Sequence, residues 1–335
     1  MLEGKTILIT GGAGFIGSHL SERLLRAGAQ VICFDNLSTG KEANIAHLRS
    51  NNNFNFILGD VNNKDELAAV FRRFTIDFVF HYAAVVGVKR TLEAPLEVLN
   101  DITGINNILE LSHLAKVKKL VFASSSEVYG NPLELPESED GAVNAKLPYA
   151  VVKLTGEKLL QAYWEKKKLP TVALRFFNVY GPRQEGSEYG FVGGIFINQV
   201  LSGLAPTILG DGTATRDFVF IEDNIEAAIR AIFRDEANGQ VINIGTGRPT
   251  TILELAEKII AISGKNLKPA YLPVRQVEVM HRWPQISKMR ICLDYTAKVS
   301  LEEGLRRTYE AYAKFQITNS KFQTISNIKI QNSNV

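Results

Sequence analysis

The stretch Thr10-Gly11-Gly12-Ala13-Gly14-Phe15-Ile16-Gly17 constrains the fold of this chain more than any other, because it joins an apolar run, Ile7-Leu8-Ile9, to an amphipathic segment. The spacing Gly11-x-x-Gly14-x-x-Gly17 removes the β-carbons that would block a tight turn, a close approach of backbone to a pyrophosphate, and close packing of helix on strand. A helix that starts there aims free N–H groups at phosphates. The pattern predicts a strand, a turn and a helix that cradle a dinucleotide, with Gly11, Gly14, Phe15, Ile16 and Gly17 against it. A second apolar run, Val31-Ile32-Cys33-Phe34, ends in Asp35, at the distance where an acid takes the adenosine ribose hydroxyls. A carboxylate there repels a 2'-phosphate, so NAD is expected rather than its phosphorylated relative.

Downstream, short β-branched or aromatic runs alternate with longer helical segments, which argues for a parallel sheet covered on both faces. Strands are expected near 54–58, 77–81, 119–124 and 172–176, and helices near 64–74, 95–115 and 149–167. Past about Gly181 the elements shorten, with strands at 217–221 and 241–244 and a helix from Ile252. The expected fold is α/β: a Rossmann-type doubly wound parallel sheet over 1–177, a smaller mixed α/β C-terminal substrate lobe over 178–315, and a polar, fraying tail over 316–335. Capping boxes at Asp223 with Glu226, Thr251 with Glu254, and Ser300 with Glu303 mark helix starts in the second lobe.

Composition excludes several classes of function. The net charge of +3 is spread along 335 residues, and the compact basic run Lys166-Lys167-Lys168 falls at an expected helix end, where cations complement the dipole, so no nucleic acid partner is expected. Cys33 and Cys292 stand far apart, the first in an expected buried strand. Neither a disulfide framework nor a metal site is expected, and a reducing cytoplasm suits the chain. No apolar run approaches spanning length, and no membrane anchor or leader is expected.

The second constraint is Tyr149-Ala150-Val151-Val152-Lys153, preceded by Ser124-Ser125-Ser126-Glu127-Val128-Tyr129-Gly130 at a strand end. Positions four apart share a helix face, so Lys153 can hold its ammonium beside the Tyr149 phenol. An isolated phenol ionises near about pH 10; a fixed cation lowers that and gives a base usable near neutrality.

With these motifs in place the chain resembles the extended short-chain dehydrogenase/reductase superfamily, specifically its nucleotide-sugar epimerase and dehydratase branch. The resemblance runs from about Lys5 to Tyr312. Besides the glycine turn and the Ser-rich and Tyr-x-x-x-Lys segments, it rests on Asp35-Asn36-Leu37-Ser38, Gly59-Asp60-Val61 and His81-Tyr82-Ala83-Ala84. It continues through Leu174-Arg175-Phe176-Phe177-Asn178-Val179-Tyr180-Gly181-Pro182-Arg183, Gly210-Asp211-Gly212, Thr215-Arg216-Asp217-Phe218 and Asn243-Ile244-Gly245-Thr246-Gly247.

The resemblance implies an NAD lobe with a sugar-nucleotide lobe above it. It places Asp35, Asn36, Asp60 and Val61 at the adenosine, Ala83 and Ala84 where backbone meets the cofactor, and Lys153 on the nicotinamide ribose as well as beside Tyr149. Ser125 takes the sugar hydroxyl and Ser126 lines the sugar pocket; Asn178, Arg216 and Arg275 match contacts to the nucleotide diphosphate and Glu278 the acid on the nucleoside ribose. Asp101 stands where relatives often carry Asn beside the nicotinamide ribose. Arg90, Arg183 and Arg282 are candidates to read a substrate carboxylate, and Arg282 falls near the position that limits bulk around the sugar.

The implied reaction begins with Tyr149 removing the proton of the sugar 4-hydroxyl while hydride leaves C4. The dehydratase acid–base pair falls on Ser126 and Glu127: its acid is missing, and Glu127 is retained. The expected function is a UDP-hexose 4-epimerase, with a nucleotide-sugar dehydratase or UDP-glucuronate decarboxylase using Glu127 as the alternative. A non-catalytic NAD-binding scaffold is opposed by the retained Tyr149 and Lys153. The resemblance also implies a homodimer formed by the long helices near 95–115 and 149–167.

Overall fold

The computed structural model describes residues 2–86, 88–186, 191–273 and 279–332, and the side chains of all of these except 88–90 and 317–332. The first half of the chain alternates β1 (Thr6–Thr10), α1 (Phe15–Arg26), β2 (Gln30–Asp35), β3 (Phe54–Leu58), α2 (Lys64–Arg73), β4 (Phe78–His81), α3 (Val88–Glu93), α4 (Pro95–Leu114), β5 (Lys119–Ser125), α5 (Pro148–Lys167) and β6 (Thr171–Phe176). The second half contains β7 (Asn178–Tyr180), α6 (Val192–Leu201), β8 (Thr207–Leu209), β9 (Thr215–Phe220), α7 (Ile221–Phe233), β10 (Gln240–Ile244), β11 (Pro249–Thr251), α8 (Ile252–Ser263), β12 (Ala270–Leu272), α9 (Ser287–Leu293) and α10 (Leu301–Asn332).

A seven-stranded sheet runs in the order β10-β6-β5-β4-β1-β2-β3, with every neighbouring pair parallel. Successive side chains of a strand face opposite sides, so β1 feeds two cores. Ile7 and Ile9 pack with Leu20, Leu24 and Ile229 of α1 and α7, whereas Leu8 packs with Leu67, Ile105, Ile108 and Val152 of α2, α4 and α5. Burial on both faces is why these strands read as unbroken apolar runs. Each such side chain contributes about 1.5–3 kcal/mol.

The boundary expected at 177 does not divide the lobes cleanly. Gln240–Ile244, placed by its sequence position in the second lobe, pairs with β6 as the edge of the main sheet, and α7 packs against β5 and β6. The chain therefore leaves the main sheet at β7 and returns to it at β10. Between and beyond these points it builds a small sheet, β11-β9-β7, and a parallel β12-β8 pair.

One capping expectation is corrected. Phe220, not Asp223, precedes α7 as its cap. Asp223 instead lies buried within the first turn, where its carboxylate accepts from the Tyr295 hydroxyl at 2.7 Å and from the N–H groups of Lys298 and Val299 at 2.9 Å each. The other boxes form: Thr251 Oγ1 accepts from the Glu254 N–H at 3.0 Å and Ser300 Oγ from that of Glu303 at 3.2 Å. Where polar composition predicts fraying after Phe315, the backbone continues α10 to Asn332. Once its first turns exist, each further helical residue adds a hydrogen bond without a new nucleation cost.

Candidate active site

In an open parallel sheet, ligands bind beyond the C-terminal strand ends where the strand order reverses. Here that point lies between β1 and β4. Gly11 sits there at φ +70°, and a β-carbon on it would lie 2.6 Å from the Ala83 nitrogen. A β-carbon on Gly17 would lie 2.3 Å from the Gly11 carbonyl oxygen, so α1 rests directly on the turn. Gly14 caps α1 without a side-chain bond, leaving the N–H groups of the first turn, at Phe15, Ile16 and Gly17, for an anion.

Asp35 braces this turn from the end of β2. Its Oδ2 accepts from the Ala13 N–H at 2.9 Å and its Oδ1 from that of Leu37 at 2.8 Å. Burial pushes its carboxyl up, against the effect of those two bonds. Asn36 Nδ2 donates to Asp60 Oδ2 at 3.2 Å, which ties the ends of β2 and β3 together, and Val61 is buried just beyond. After β4, the Ala83 N–H donates to Thr10 Oγ1 at 3.3 Å, and the Thr10 hydroxyl also meets His81 Nδ1 at 2.7 Å. Burial drives the His81 pKa down to about 3, so the ring is neutral. Ala84 continues this loop, and Asp101 holds it: Asp101 Oδ2 accepts from the Val85 N–H at 2.8 Å. The acid found in place of the usual Asn is thus a brace for the Ala83–Ala84 loop, and its charge also favours the Lys153 ammonium. A close-fitting turn, an uncapped helix start and an acid at the end of β2 are the set a dinucleotide requires, so the residues fit one.

Pro148 at the first turn of α5 starts the helix that carries Tyr149 and Lys153. Lys153 is 3% exposed, with its ammonium 5.5 Å from the Tyr149 ring centroid and 4.8 Å from that of Phe122. Burial pulls Lys153 down to about 8, opposed by Asp101. Lys153 by itself does not lower the Tyr149 phenol. Burial raises that phenol well above its ordinary value, Glu127 and Asp101 raise it further, and a hydrogen bond with Ser125 opposes them. Desolvation dominates, and a further positive charge at this point would act in the opposite direction. Ser125 ends β5, its Oγ accepting from the Glu127 N–H at 3.2 Å, and Ser126 is buried next to it.

The arginines are placed differently from expectation. Arg282 is 3% exposed and paired with Glu127; its Nη2 also donates to the Gly130 carbonyl at 2.6 Å. Both of its Nη groups are engaged within the protein rather than extended toward a substrate carboxylate, while its Nε has no hydrogen-bond partner among the described residues. Arg183 turns toward α1, where it pairs with Glu22 and donates to Ser18 Oγ at 3.0 Å, because the carboxylate on that helix face is its near neighbour. Asn178 Nδ2 donates to the Asp217 carbonyl at 3.1 Å and Arg216 Nη1 to that of Thr215 at 2.8 Å, which brings both residues together on β7 and β9. The side chain of Arg90, and Arg275 and Glu278 entirely, lie outside the described residues.

Two features escaped sequence reasoning. Beneath the Ser-rich strand end, Arg175 makes a bidentate pair with Glu157 at 2.8 and 2.7 Å, and Ser124 Oγ donates to the same carboxylate at 2.6 Å. Its signal was available: a charge inside the apolar run Leu174-Arg175-Phe176 must be paired when buried. The other is Glu137, buried with its Oε1 3.6 Å from Arg282 Nε. Within Pro136-Glu137-Ser138-Glu139-Asp140 it looks like a solvated loop acid, and no periodicity distinguishes it.

A glycine turn fit for a dinucleotide, with Asp101 linking the loop packed against it to Lys153 beside Tyr149 and Ser125, defines an enzyme that moves hydride to or from a small molecule. The chain belongs to the NAD dependent epimerase/dehydratase family, whose family model matches residues 7–245, and NAD is the cofactor of that family. It is 36% identical over 307 residues to UDP-glucose 4-epimerase of Mycolicibacterium smegmatis, which spans 91% of this chain and 97% of the relative. It is 35% identical over 325 residues to UDP-N-acetyl-alpha-D-glucosaminuronate decarboxylase of Bacillus cytotoxicus, spanning 93% and 99%. The structure of UDP-glucuronic acid 4-epimerase from Bacillus cereus, in complex with UDP-glucuronic acid and NAD, is similar at a TM-score of 0.84 and 35% identity, covering 92% of this chain and 99% of that one.

Proposed function

We propose that the protein is an NAD-dependent UDP-hexose 4-epimerase that works through a transient 4-keto sugar. The observation that carries this reading is the convergence of Tyr149 and Lys153 from α5 with Ser125 from β5 at the mouth of the glycine cradle. Bound NAD supplies the hydride acceptor and the positive charge that the buried phenol lacks. Tyr149 then takes the proton of the sugar 4-hydroxyl, Ser125 holds that oxygen, and the enclosed position keeps water away. Gly11, Gly14, Phe15, Ile16 and Gly17 hold the pyrophosphate; Asp35, Asn36, Asp60 and Val61 hold the adenosine; Ala83 and Ala84 let the backbone close on it. On the sugar side Asn178, Arg216 and Arg275 grip the diphosphate, to which guanidinium groups are suited, and Glu278 takes the nucleoside ribose.

A second reading, decarboxylation of a UDP-linked uronate, is favoured by one observation: the Glu127–Arg282 pair lies close enough to Tyr149 for the Glu127 charge to bear on its phenol. One experiment separates the two. Purified protein is incubated with UDP-glucose, UDP-galactose, their N-acetyl forms and UDP-glucuronate, and the products are followed by NMR. A 4-epimer of unchanged mass is expected; carbon dioxide released from UDP-glucuronate moves the assignment to the second reading, and a 4-keto-6-deoxy or unsaturated sugar overturns both.

The protein acts as a cytoplasmic homodimer in this reading. The dimer is supported by apolar side chains left exposed on the paired helices α4 and α5, Leu96 at 80% together with Leu99 and Val151, and sedimentation is expected to give twice the chain mass. Two unpaired buried cysteines, Cys33 and Cys292, suit a reducing compartment, and no helix among the described residues is long and apolar enough to cross a membrane.

A further inference from the structure

Two carboxylates face one guanidinium beside the phenol. Arg282 donates to Glu127 through Nη1 and to the Gly130 carbonyl through Nη2, whereas its Nε stands 3.6 Å from Glu137 Oε1, within ion-pair range and beyond hydrogen-bond reach. Neither that Nε nor either Glu137 oxygen has a hydrogen-bond partner among the described residues. The Glu137 side chain is 1% exposed, against 46% for Glu127. Its backbone fixes it there: the N–H donates to the Trp283 carbonyl at 2.9 Å, and its carbonyl accepts from the Gln285 N–H at 2.8 Å and from Asn243 Nδ2 at 2.9 Å. An apolar side chain of similar volume would serve packing at this position better than a carboxyl without hydrogen bonds.

We propose that Glu137 is a positioning residue of the sugar pocket, and that the proton it carries sets how firmly Arg282 is committed to Glu127. With Glu137 protonated, the guanidinium belongs to Glu127 and compensates the charge that stands near Tyr149. With Glu137 ionised, Nε is drawn toward it, the Glu127 pair loosens, and the less compensated Glu127 disfavours the Tyr149 phenolate. The charged groups facing Glu137 are Arg282 from the segment after β12, Glu127 from the turn after β5, Arg216 of β9 and Arg175 of β6. Burial and Glu127 outweigh the three arginines and carry the Glu137 carboxyl up to about 8, so the changeover falls in a physiological range.

The kinetic half of the test rests on the epimerase reading; the spectroscopic half does not. On the purified NAD-bound protein without substrate, isotope-edited infrared spectroscopy of the glutamates is expected to show a protonated carboxyl band that disappears with a midpoint near about 8. The band should be missing in Glu137→Gln. In Glu127→Gln its midpoint should fall by about one pH unit, because Arg282 then serves Glu137 alone. On mixing with the UDP-sugar that reacts, the rate of reduction of bound NAD in the native protein divided by that in Glu137→Gln should fall across the same midpoint, a ratio from which the Lys153 titration common to both proteins cancels, with KM within about two-fold. An infrared midpoint that does not move in Glu127→Gln, or a native to Glu137→Gln rate ratio that stays constant across pH, overturns the proposal. Should Glu137→Gln fail to fold, the native and Glu127→Gln titrations still decide it. Should no sugar react, the infrared arm stands while the function assignment falls.

Discussion

In the proposed reaction the glycine turn serves the cofactor and the Arg282 cluster the sugar, and the two are made differently. The turn is spelled by contiguous residues, 10 to 17, and acts through backbone: a missing β-carbon at Gly11 and Gly17, and an uncapped helix start. The cluster is assembled from side chains at 127, 137 and 282, and acts through charge. A site built on steric clearance fails by collision and is indifferent to pH. One built on unequal numbers of acids and bases is tuned by each proton it gains or loses. The contrast suits the two tasks proposed for them, since a cofactor needs a rigid seat, whereas a sugar pocket has to accept a changing charge.

The largest expected effect falls where the two regions meet. Tyr149→Phe should lower kcat by roughly 10²–10⁴-fold at every pH with little change in KM, measured by NMR product formation; activity retained there would remove the base from the scheme. Next is the buried pair beneath the strand end. Arg175→Ala leaves Glu157 charged and unpaired and should cost about 3–5 kcal/mol in urea unfolding. A small loss would mean that charge compensation matters less here than its burial implies. For the Arg282 cluster the sign is set by linkage. The folded protein keeps the Glu137 proton between about 4.5 and 8, where the unfolded chain has lost it, so stability falls as pH rises across that window. Glu137→Gln should abolish that slope in thermal melts, while changes in the cradle should not. Gly17→Ala is the steric counterpart: its β-carbon meets backbone, and about 1–3 kcal/mol of strain is expected together with weaker NAD binding by calorimetry, both insensitive to pH. The smallest effect is a control outside both regions. Thr251→Ala removes the cap of α8 and should cost about 1 kcal/mol without touching NAD affinity or turnover.

Legibility in the sequence followed the same division. The parallel sheet, the glycine turn, Asp35 at the end of β2 and the placing of Tyr149 and Lys153 one turn apart could be read from runs and spacings. Three features could not. The return of Gln240–Ile244 to the main sheet needs a partner strand more than sixty residues earlier, and an apolar run does not name its neighbour. Asp223 carries the spacing of a cap but is used as a buried acceptor, because its role depends on where residues 295–299 pass. Glu137 sits in an acidic run that looks solvated, and its burial comes from pairing with residues 283–285, far along the chain.

The sequence by itself determined the class of fold and the glycine turn that starts α1, since strand period, glycine spacing and the four-residue step of a helix are local properties that neighbouring residues enforce. Only the tertiary structure decided the charge states that make the site work. Whether Tyr149 is raised or lowered, whether Arg282 is free or committed, and whether Glu137 holds a proton all depend on desolvation and on charges contributed by distant segments, and neither quantity is written in the order of the residues.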